Sequence, residues 1–274
     1  MHDPIAIALA EDIGSGDLTA QFFVDPNARS SARIFAKQAC VLAGIETAAE
    51  TFRRVDPGLH LKVLRSDGDA LNYGDSVLTV DGKTSSILTA ERVALNFLQR
   101  FSGIATLTAS YVAAVAISHA KILDTRKTTP GLRLLEKAAV RAGGGTNHRI
   151  GLHDMVMVKD NHLLADASIE HLREKIAQFK RVYPKIRIEL EADTLDQVKA
   201  FLTLPEVDVI LLDNMSLEEM QSAVFINSGR VLLEASGGVN LKTVADIAAT
   251  GVDFISVGAL THSAVAVDFS LELT

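Results

Sequence analysis

Residues 231–258 read VLLEASGGVNLKTVADIAATGVDFISVG, and their pattern is the strongest indication of the fold. An apolar run at 231–234 leads into Ser-Gly-Gly, a helical pattern covers about 240–249, and a second apolar run covers 254–257. Two short strands joined by a helix are typical of a parallel β-α-β unit. Small residues follow both strands, as they do in barrels that bind phosphate with backbone N–H groups and a helix N-terminus after the last two strands.

The same alternation extends back to residue 121. Apolar runs lie at 121–123, 155–158, 186–190 and 209–212, with helical patterns at about 166–182, 194–203 and 216–226. A further helix is predicted to open at Thr129-Pro130-Gly131 and to close at Gly143. Six β/α units predict an α/β fold with an incomplete (β/α) barrel of parallel strands. A doubly wound sheet is the alternative, but no Gly-x-Gly-x-x-Gly sequence follows a strand.

The first hundred residues have a different pattern. Helices are predicted at 3–12 and 44–54, and strands at 32–37, 59–64 and 77–80. A helical pattern begins at Thr84, with a break predicted at Ser102-Gly103, and the apolar stretch 103–118 is interpreted as a buried helix. We therefore predict a small α+β domain over residues 1–103, with residues 262–274 as a candidate to pack back on it, and a barrel domain over 104–261.

Composition limits the class of protein. The 274 residues exceed the ~150 residues typical of one domain. With 48% hydrophobic and 22% charged residues, the chain can bury a core and is not of the disordered class. The single cysteine, Cys40, cannot form an internal disulfide, which fits a reducing compartment. No targeting or membrane signal is visible, so we expect a cytoplasmic protein without a membrane partner.

Charge is unevenly distributed along the chain. The formal net charge is −7, which argues against a nucleic-acid partner. Residues 121–162, however, hold eight Lys and Arg against four Asp and Glu, a local charge of +4 that leaves −11 for the rest. Three of the eight histidines, His148, His153 and His162, lie in the same stretch. The sequence therefore predicts one basic site for a small anion.

Polar or small residues end the predicted barrel strands, where barrel enzymes have their active sites. Glu191 and Asp213 are candidates to hold Mg²⁺ together with substrate phosphates. We expect strand alternation to turn one of Glu189 and Glu191 away from the barrel. The six strand-end residues are Asp124, Lys159, Glu191, Asp213, Ser236 and Gly258.

Two loops carry the positive charge. Arg126 and Lys127 offer a planar fork and a point charge to carboxylate or phosphate, although a solvated basic turn has the same composition. In residues 143–149, three glycines let backbone N–H groups approach an anion, and His148 and Arg149 add side-chain donors. The same glycines could simply end a helix. The spacing of His148 and His153 invites a zinc interpretation, which lacks a firm third ligand.

The motifs together resemble one family, the decarboxylating quinolinate phosphoribosyltransferases. The resemblance covers nearly the whole chain. Its motifs are Glu11-Asp-Ile-Gly-Ser-Gly-Asp-Leu-Thr19, Glu91-Arg-Val-Ala-Leu-Asn96, Ser102-Gly-Ile-Ala-Thr106, Thr125-Arg-Lys-Thr-Thr-Pro-Gly131, Gly143-Gly-Gly-Thr-Asn-His-Arg149, Lys159-Asp-Asn-His162, Leu211-Leu-Asp-Asn214 and Glu234-Ala-Ser-Gly-Gly238. His153 departs from the family pattern, where we expect a residue such as Asp or Tyr.

The resemblance implies an N-terminal α/β sandwich domain, an incomplete α/β barrel, and a homodimer or larger homo-oligomer in which Arg92 enters the neighbouring subunit's site. It implies phosphoribosyl transfer from 5-phosphoribosyl 1-pyrophosphate (PRPP) to quinolinate with decarboxylation, a step of NAD biosynthesis that needs Mg²⁺. The acceptor and donor would be surrounded by Thr125, Arg126, Lys127, His148, Arg149 and Lys159. Glu191 and Asp213 would hold the ribose and Mg²⁺, and with Lys127 and Lys159 they form the implied catalytic set. The 5′-phosphate would lie against Ser236, Gly237, Gly238, Gly258, Ala259 and Leu260.

Three other hypotheses remain beside this one. The same scaffold could serve another aromatic acid, because the basic residues do not define the shape of the pocket. Lys159 could be the Schiff-base nucleophile of a barrel aldolase. Residues 69–82 could form a carrier hairpin of the lipoyl or biotin type, although no lysine is present there to be modified.

Overall fold

The computed structural model describes residues 3–159 and 168–274, which divide into two compact units. The first unit contains Met1–Ala109, Thr128–Gly144 and Leu260–Thr274, and the second contains Ser110–Lys127 and Gly145–Ala259. Three residues of a family motif, Asp160, Asn161 and His162, lie outside the described residues, as does the predicted helix start near 166.

A four-stranded antiparallel sheet with the strand order β12-β1-β5-β3 is the base of the first unit. Its strands are β1 (Arg29–Ala36), β3 (His60–Val63), β5 (Ser76–Lys83) and β12 (Phe269–Leu273), while β2 (Cys40–Val41) pairs separately with β4 (Ala70–Leu71). The helices are α1 (Pro4–Ile13), α2 (Leu18–Phe23), α3 (Ile45–Val55), α4 (Thr84–Ala114) and α5 (Arg133–Ala142). The last residues of α4, from Ser110 on, belong to the second unit.

The core of the first unit joins this sheet to two helices. Ala32, Ile34 and Ala36 alternate along β1 and are all buried, as expected of a strand with one face against a core. Phe52 of α3 and Leu98 of α4 are fully buried in the same hydrophobic cluster. The predicted α+β character of this region is confirmed by the sheet and its helices.

The predicted break at Ser102-Gly103 is wrong, because α4 is continuous through both residues. Their small size serves packing instead of ending the helix. A Cβ on Gly103 would lie 2.2 Å from the carbonyl oxygen of Val265, so only glycine lets that backbone come so close. The Ser102 hydroxyl accepts a hydrogen bond from the Ala43 amide at 3.0 Å, an interaction that leaves the helix intact.

The predicted opening of α5 is also wrong. Its first residue is Arg133, so Pro130 precedes the helix instead of lying in its first turn. Gly131 has a φ of 82°, a left-handed conformation that an α-helix cannot contain. The Leu132 amide instead closes a turn on the carbonyl of Thr129 at 3.0 Å. The predicted end of the helix is confirmed, since Gly143 is its C-cap.

The second unit is a six-stranded sheet with the order β6-β11-β10-β9-β8-β7, and all its pairs are parallel. The first strand pairs with the last, so the sheet has wrapped around on itself. A doubly wound sheet would instead place early strands between later ones. The open edge lies between β6 and β7, which makes the barrel incomplete, as predicted. The strands are β6 (Lys121–Leu123), β7 (Val156–Val158), β8 (Ile188–Ala192), β9 (Val209–Asp213), β10 (Leu232–Ser236) and β11 (Phe254–Ser256).

Two helices between the strands begin at residues whose side chains cap the helix N-terminus. Thr194 and Ser216 each accept the amide three residues on, and Gln197 and Glu219 reach back to complete two capping boxes. Among the helices of the described residues, none is long and apolar enough to cross a membrane. The helices of this part are α6 (Ile169–Val182), α7 (Leu195–Phe201), α8 (Leu217–Asn227), α9 (Val244–Ala249) and α10 (Ala259–His262).

Candidate active site

Strand register places the predicted polar residues on one face of the barrel sheet. Residues two apart on a strand share a face, as do partners across a parallel pair. Glu191 lies opposite Leu211, which in turn lies opposite Glu234, and Asp213 lies opposite Ser236. The expectation that Glu189 and Glu191 point apart is therefore wrong, because they stand two positions apart on β8 and both face the same side. The shared face holds Lys159, Glu189, Glu191, Asp213, Glu234 and Ser236.

Asp124 anchors the loop that carries His148. Its side chain is completely buried, and it accepts hydrogen bonds from the His148 amide at 2.8 Å and from Asn147 Nδ2 at 2.5 Å. The Thr146 amide also donates to the carbonyl of Ile122, which aligns this loop with β6. Asp124 was a candidate for chemistry, and its contacts hold residues 146–148 in place.

Arg126 and Arg149 form the basic part of the site. Burial first, and the nearby charge of Arg126 second, lower the pKa of the Arg149 guanidinium. Arg149 also donates to the carbonyl of Met155 at 3.3 Å and to Met157 Sδ at 3.4 Å. Thr125 Oγ1 accepts the amide of Lys127 at 3.1 Å, which shapes the turn that carries the basic pair. An exposed guanidinium, Arg126, beside the half-buried guanidinium of Arg149 favours an anionic ligand.

Beneath this basic part lies a buried cluster of His148, Glu189 and Glu234. His148 Nε2 is 3.2 Å from Glu189 Oε2 and 3.3 Å from Glu234 Oε2. The three side chains are 7%, 0% and 2% exposed. Within the residues that the structure describes, both oxygens of Glu189 and Oε1 of Glu234 take part in no hydrogen bond. Burying carboxylates in this state is costly.

The protonation of His148 follows from its two nitrogens. Burial acts to lower the pKa of His148, but the carboxylates of Glu189 and Glu234 beside Nε2 outweigh it, raise the pKa and favour a proton on that nitrogen. The Arg149 amide nitrogen is 2.7 Å from Nδ1 and donates to it, which opposes a proton on that nitrogen. The ring therefore holds its proton on Nε2, between the carboxylates. For Glu189, burial acts in the opposite direction and raises the pKa.

The spacing of this cluster would also suit a metal ion, since one ligand atom from each residue lies within 4.8 Å of the others. A metal would need the lone pair of His148 Nε2. Because Nδ1 already accepts the Arg149 amide, Nε2 carries the ring proton and is not a metal ligand. His153 is exposed and does not belong to this group, so the two histidines are not brought together as a zinc pair.

Lys159 and Glu191 form an ion pair at the ends of β7 and β8. Glu191 is 9% exposed while Lys159 is 42% exposed, so the lysine reaches toward solvent from a buried partner. On β9, Asp213 Oδ2 accepts a hydrogen bond from Asn214 Nδ2 at 2.8 Å. The nucleophilic lysine of an aldolase is activated in an apolar pocket or beside another cation. Lys159 is paired with a carboxylate instead, which does not fit the aldolase hypothesis.

The Ser236-Gly237-Gly238 segment forms a backbone cradle. Gly237 and Gly238 have φ values of 96° and 60°, which favour glycine. A Cβ on Gly237 would lie 2.1 Å from Asn214 Oδ1, so the close approach of β9 and β10 depends on this glycine. Helix α9 begins only at Val244, so the left-handed backbone, and not a helix N-terminus, directly follows Ser236.

The remaining predicted residues lie on other elements. Gly258 follows β11, and Ala259 and Leu260 open α10. Leu260 is completely buried in the first unit, where Arg92 lies exposed on α4. Residues 69–82 do not form a carrier hairpin, because β4 pairs with β2 while β5 pairs with β1 and β3.

Sequence reasoning missed the buried carboxylate pair. Glu234 entered only as part of a motif, and Glu189 was treated as ambiguous. The signal was available in the spacing, because Glu189 and Glu191 stand two residues apart on one strand, as do Glu234 and Ser236. What the spacing does not give is the pairing of both glutamates with one histidine.

Comparisons with known proteins agree along the whole chain. Two family models match it, described as quinolinate phosphoribosyl transferase, N-terminal domain, over residues 17–102, and C-terminal domain, over residues 104–272. A probable nicotinate-nucleotide pyrophosphorylase (carboxylating) of Synechocystis is 44% identical over 97% of this chain and 90% of that protein. A chloroplastic nicotinate-nucleotide pyrophosphorylase (carboxylating) of Arabidopsis thaliana is 43% identical over 98% of this chain and 81% of that protein. The crystal structure of NadC from Streptococcus pyogenes matches with a TM-score of 0.93 and 42% identity, covering 98% of this chain and 95% of that chain.

Proposed function

The chain belongs to the quinolinate phosphoribosyltransferase family, and from that premise we propose that it transfers the phosphoribosyl group of PRPP to quinolinate with loss of CO₂. The products are nicotinate mononucleotide, pyrophosphate and CO₂, and the reaction class is pentosyl transfer. Quinolinate carries two adjacent carboxylates, and the donor carries a phosphate and a pyrophosphate. Both substrates therefore require concentrated positive charge.

The observation that carries this proposal is the half-buried Arg149 beside Arg126, since burial first and the charge of Arg126 second lower the pKa of the Arg149 guanidinium. Such a pair is stabilised when a dianionic ligand binds between or beside the guanidiniums. We assign Arg126, Lys127, Arg149 and Lys159 to the acceptor carboxylates and the pyrophosphate, with Thr125 shaping their loop. The Ser236-Gly237-Gly238 cradle, with Gly258, Ala259 and Leu260, is assigned to the 5′-phosphate.

The chemistry needs placement more than a protein nucleophile. The pyridine nitrogen of quinolinate attacks C1 of the ribose, and the bond from C1 to pyrophosphate breaks. The C2 carboxylate then leaves as CO₂, and its bonding electrons stay on C2 beside the cationic ring nitrogen until a proton is taken up. Alignment of two bound substrates can supply about 7–11 kcal/mol of the barrier. Lys127 and Lys159 stabilise the negative charge of the departing pyrophosphate.

Glu191 and Asp213 suit a magnesium ion brought by the donor. They lie on one face at the ends of neighbouring parallel strands, and Mg²⁺ favours one or two carboxylates together with substrate phosphates. When bound, the ion offsets charge on the departing pyrophosphate as a Lewis acid. The same carboxylates can accept hydrogen bonds from the ribose hydroxyls.

Assembly and location follow from the family resemblance. We propose a homodimer or larger homo-oligomer in which Arg92, exposed on α4, enters the neighbouring subunit's site. We place the enzyme in the cytoplasm, where Cys40 would stay reduced. If the Arg92→Ala variant forms the native oligomer in sedimentation but loses turnover, the shared site is supported. Full turnover by a monomer would overturn it.

Turnover itself tests the proposed function. Quinolinate absorbance should fall only when PRPP and Mg²⁺ are both present, and not in the presence of a chelator. A correctly folded protein that leaves quinolinate unchanged would overturn the proposal. Nicotinate, assayed in parallel, tests the nearest alternative, a related enzyme for another aromatic acid. A higher kcat/KM for nicotinate than for quinolinate would favour that alternative.

A further inference from the structure

Both ring nitrogens of His148 contact protein groups. Nε2 faces Glu189 and Glu234 at 3.2 and 3.3 Å, and Nδ1 accepts the Arg149 amide at 2.7 Å. The side chain is 7% exposed. The family resemblance places His148 among the residues around the acceptor. A ring nitrogen could reach a ligand only if one of these contacts were broken, because both nitrogens already have protein partners.

We propose that His148 is a positioning residue that sets Arg149 for the acceptor carboxylate, and that Glu189 and Glu234 hold His148 in this role. The proposal deepens the proposed function and rests on it. It assigns a task to two buried glutamates that the transfer reaction itself does not use.

Each residue of the 147–149 segment is fixed by a different contact. Asp124 accepts Asn147 Nδ2 and the His148 amide, and the His148 ring accepts the amide of Arg149. These bonds fix the backbone from which the Arg149 side chain projects. Beyond the backbone, the carbonyl of Met155 and the sulfur of Met157 accept hydrogen bonds from the guanidinium.

The glutamates fix the orientation of the ring. Glu189 on β8 and Glu234 on β10 approach Nε2 from two strands that flank β9, so the imidazole is held from two directions. Rotation of the ring about its χ2 angle would turn Nε2 away from both carboxylates and Nδ1 away from the Arg149 amide. A displaced Arg149 would meet the acceptor in the wrong geometry, and a misplacement of about 1 Å can cost about 10²-fold in rate.

A double-mutant cycle distinguishes positioning from direct contact. The variants are His148→Ala, Arg149→Ala and the double variant, and the readouts are kcat and the KM values for quinolinate and PRPP. If His148 acts through Arg149, the double variant has the same kcat/KM for quinolinate as Arg149→Ala within about twofold. Multiplication of the two single effects would show that His148 contacts the acceptor itself and would overturn the proposal.

A matched control pairs His148→Ala with Asp213→Ala. Asp213 is assigned to the ribose and Mg²⁺ and not to the acceptor carboxylates, so these two effects on kcat/KM should multiply. The KM for PRPP should change much less than the KM for quinolinate in His148→Ala. Equal rises in both KM values would indicate a general disturbance of the site and count against a specific effect on the acceptor.

Two conservative variants keep the test informative if His148→Ala fails to fold. His148→Asn retains an acceptor near the position of Nδ1, and His148→Gln retains a donor near that of Nε2. We expect His148→Asn to keep more acceptor affinity than His148→Gln, because only Asn can still accept the Arg149 amide. The reverse order would overturn the proposal.

Nitrogen NMR of the unaltered chain needs no turnover and so separates this proposal from the proposed function. In ¹⁵N-histidine-labelled protein, His148 should show a protonated Nε2 and an unprotonated Nδ1, unchanged when quinolinate saturates the site. Protonation of Nδ1 on addition of quinolinate would show that His148 donates to the ligand, and would overturn the proposal. If the NMR result is as expected and quinolinate does not turn over, the contacts of His148 stand and the proposed function fails.

Discussion

Two buried glutamates show opposite solutions to the same physical problem. Glu136 and Glu189 are each 0% exposed. Glu136, on α5 of the first unit, accepts hydrogen bonds from the Thr129 amide at 3.0 Å, from its hydroxyl at 2.7 Å and from Arg100 Nε at 3.2 Å and Nη2 at 2.9 Å. Glu189, on β8 of the second unit, has His148 Nε2 at 3.2 Å as its near partner.

The difference indicates what each region is for. Around Glu136, each polar atom stabilises the fold, and Arg100 further donates to the carbonyls of Thr261 and Ala264. Around Glu189, the oxygens lack hydrogen bonds from the described part of the chain, so the charge is kept at a cost to stability. Such local conflicts are expected at functional sites. Four predictions test this contrast.

The largest expected effect lies in the functional region. Lys159→Ala removes a cation at the end of β7 and should lower kcat/KM by about 10²–10³-fold, the range for losing one stabilising donor. The free energy of unfolding should change by less than about 1 kcal/mol, because the Lys159–Glu191 pair is partly exposed. Steady-state kinetics and urea unfolding measure the two quantities.

The control for this variant is Lys199→Ala, which breaks the exposed Lys199–Asp196 pair on α7. It should leave kcat/KM unchanged. If Lys159→Ala retains more than a tenth of the activity, the assignment of Lys159 to the reaction is wrong.

Glu136→Ala should give the largest loss of stability. It leaves Arg100 and the Thr129 amide without their shared acceptor, and breaking a buried pair in this way costs about 3 kcal/mol. The free energy of unfolding, from urea titration, checks the value. Glu272→Ala, which breaks the exposed Arg33–Glu272 pair, should cost less than about 1 kcal/mol. Equal losses for the two variants would remove the distinction between a buried and an exposed partner.

Glu189→Gln sharpens the contrast most directly. A neutral amide of the same shape replaces a poorly satisfied buried charge, so the free energy of unfolding should stay within about 1 kcal/mol of the unaltered chain. The KM for quinolinate should rise about tenfold, or about 1.4 kcal/mol, because His148 loses a charged partner. A loss of stability as large as that of Glu136→Ala, with an unchanged KM, would show that both glutamates are structural.

The smallest effect concerns a carboxylate nearer the surface of the first unit. Asp17 caps α2 through the Ala20 amide and accepts the Thr89 hydroxyl, and these two hydrogen bonds lower its pKa. Because the folded pKa lies below the unfolded value of about 3.9, the stabilisation is complete above that value and is lost as pH falls through the folded pKa.

Asp17→Ala should therefore cost about 1 kcal/mol at neutral pH, as expected for a lost N-cap. The difference from the unaltered chain should shrink as the pH is lowered into the acid range. Urea unfolding at several pH values measures it, and a difference that does not depend on pH would contradict the role of the Asp17 charge.

Much of this arrangement could be predicted from the sequence, because it depends on local pattern. Short apolar runs that end in Lys159, Asp213 or Ser236 lie close to the observed strands of the barrel. The errors arose where distant backbone decides the role of a residue. Gly103 looks like a helix break until Val265 is seen beside it, and Pro130 looks like a helix start until Gly131 is seen in a left-handed conformation.

Contacts distant in sequence were beyond the same reasoning. Strand β12 pairs with β1, from Ala32 opposite Leu273 to Ala36 opposite Phe269, and no local pattern specifies that register. The meeting of His148 with Glu189 and Glu234 depends on which strands become neighbours in the barrel. That order is set by closure of the sheet.

Release of CO₂ from quinolinate labelled in its C2 carboxylate is the decisive measurement of the proposed transfer with decarboxylation. With PRPP and Mg²⁺ present, we expect labelled CO₂ and pyrophosphate to appear in equal amounts, and neither to appear without PRPP. Nicotinate, which lacks the C2 carboxylate, should yield little pyrophosphate under the same conditions. Folded protein that releases no labelled CO₂, or that forms pyrophosphate faster with nicotinate than with quinolinate, would show that the chain is not a quinolinate-specific phosphoribosyltransferase.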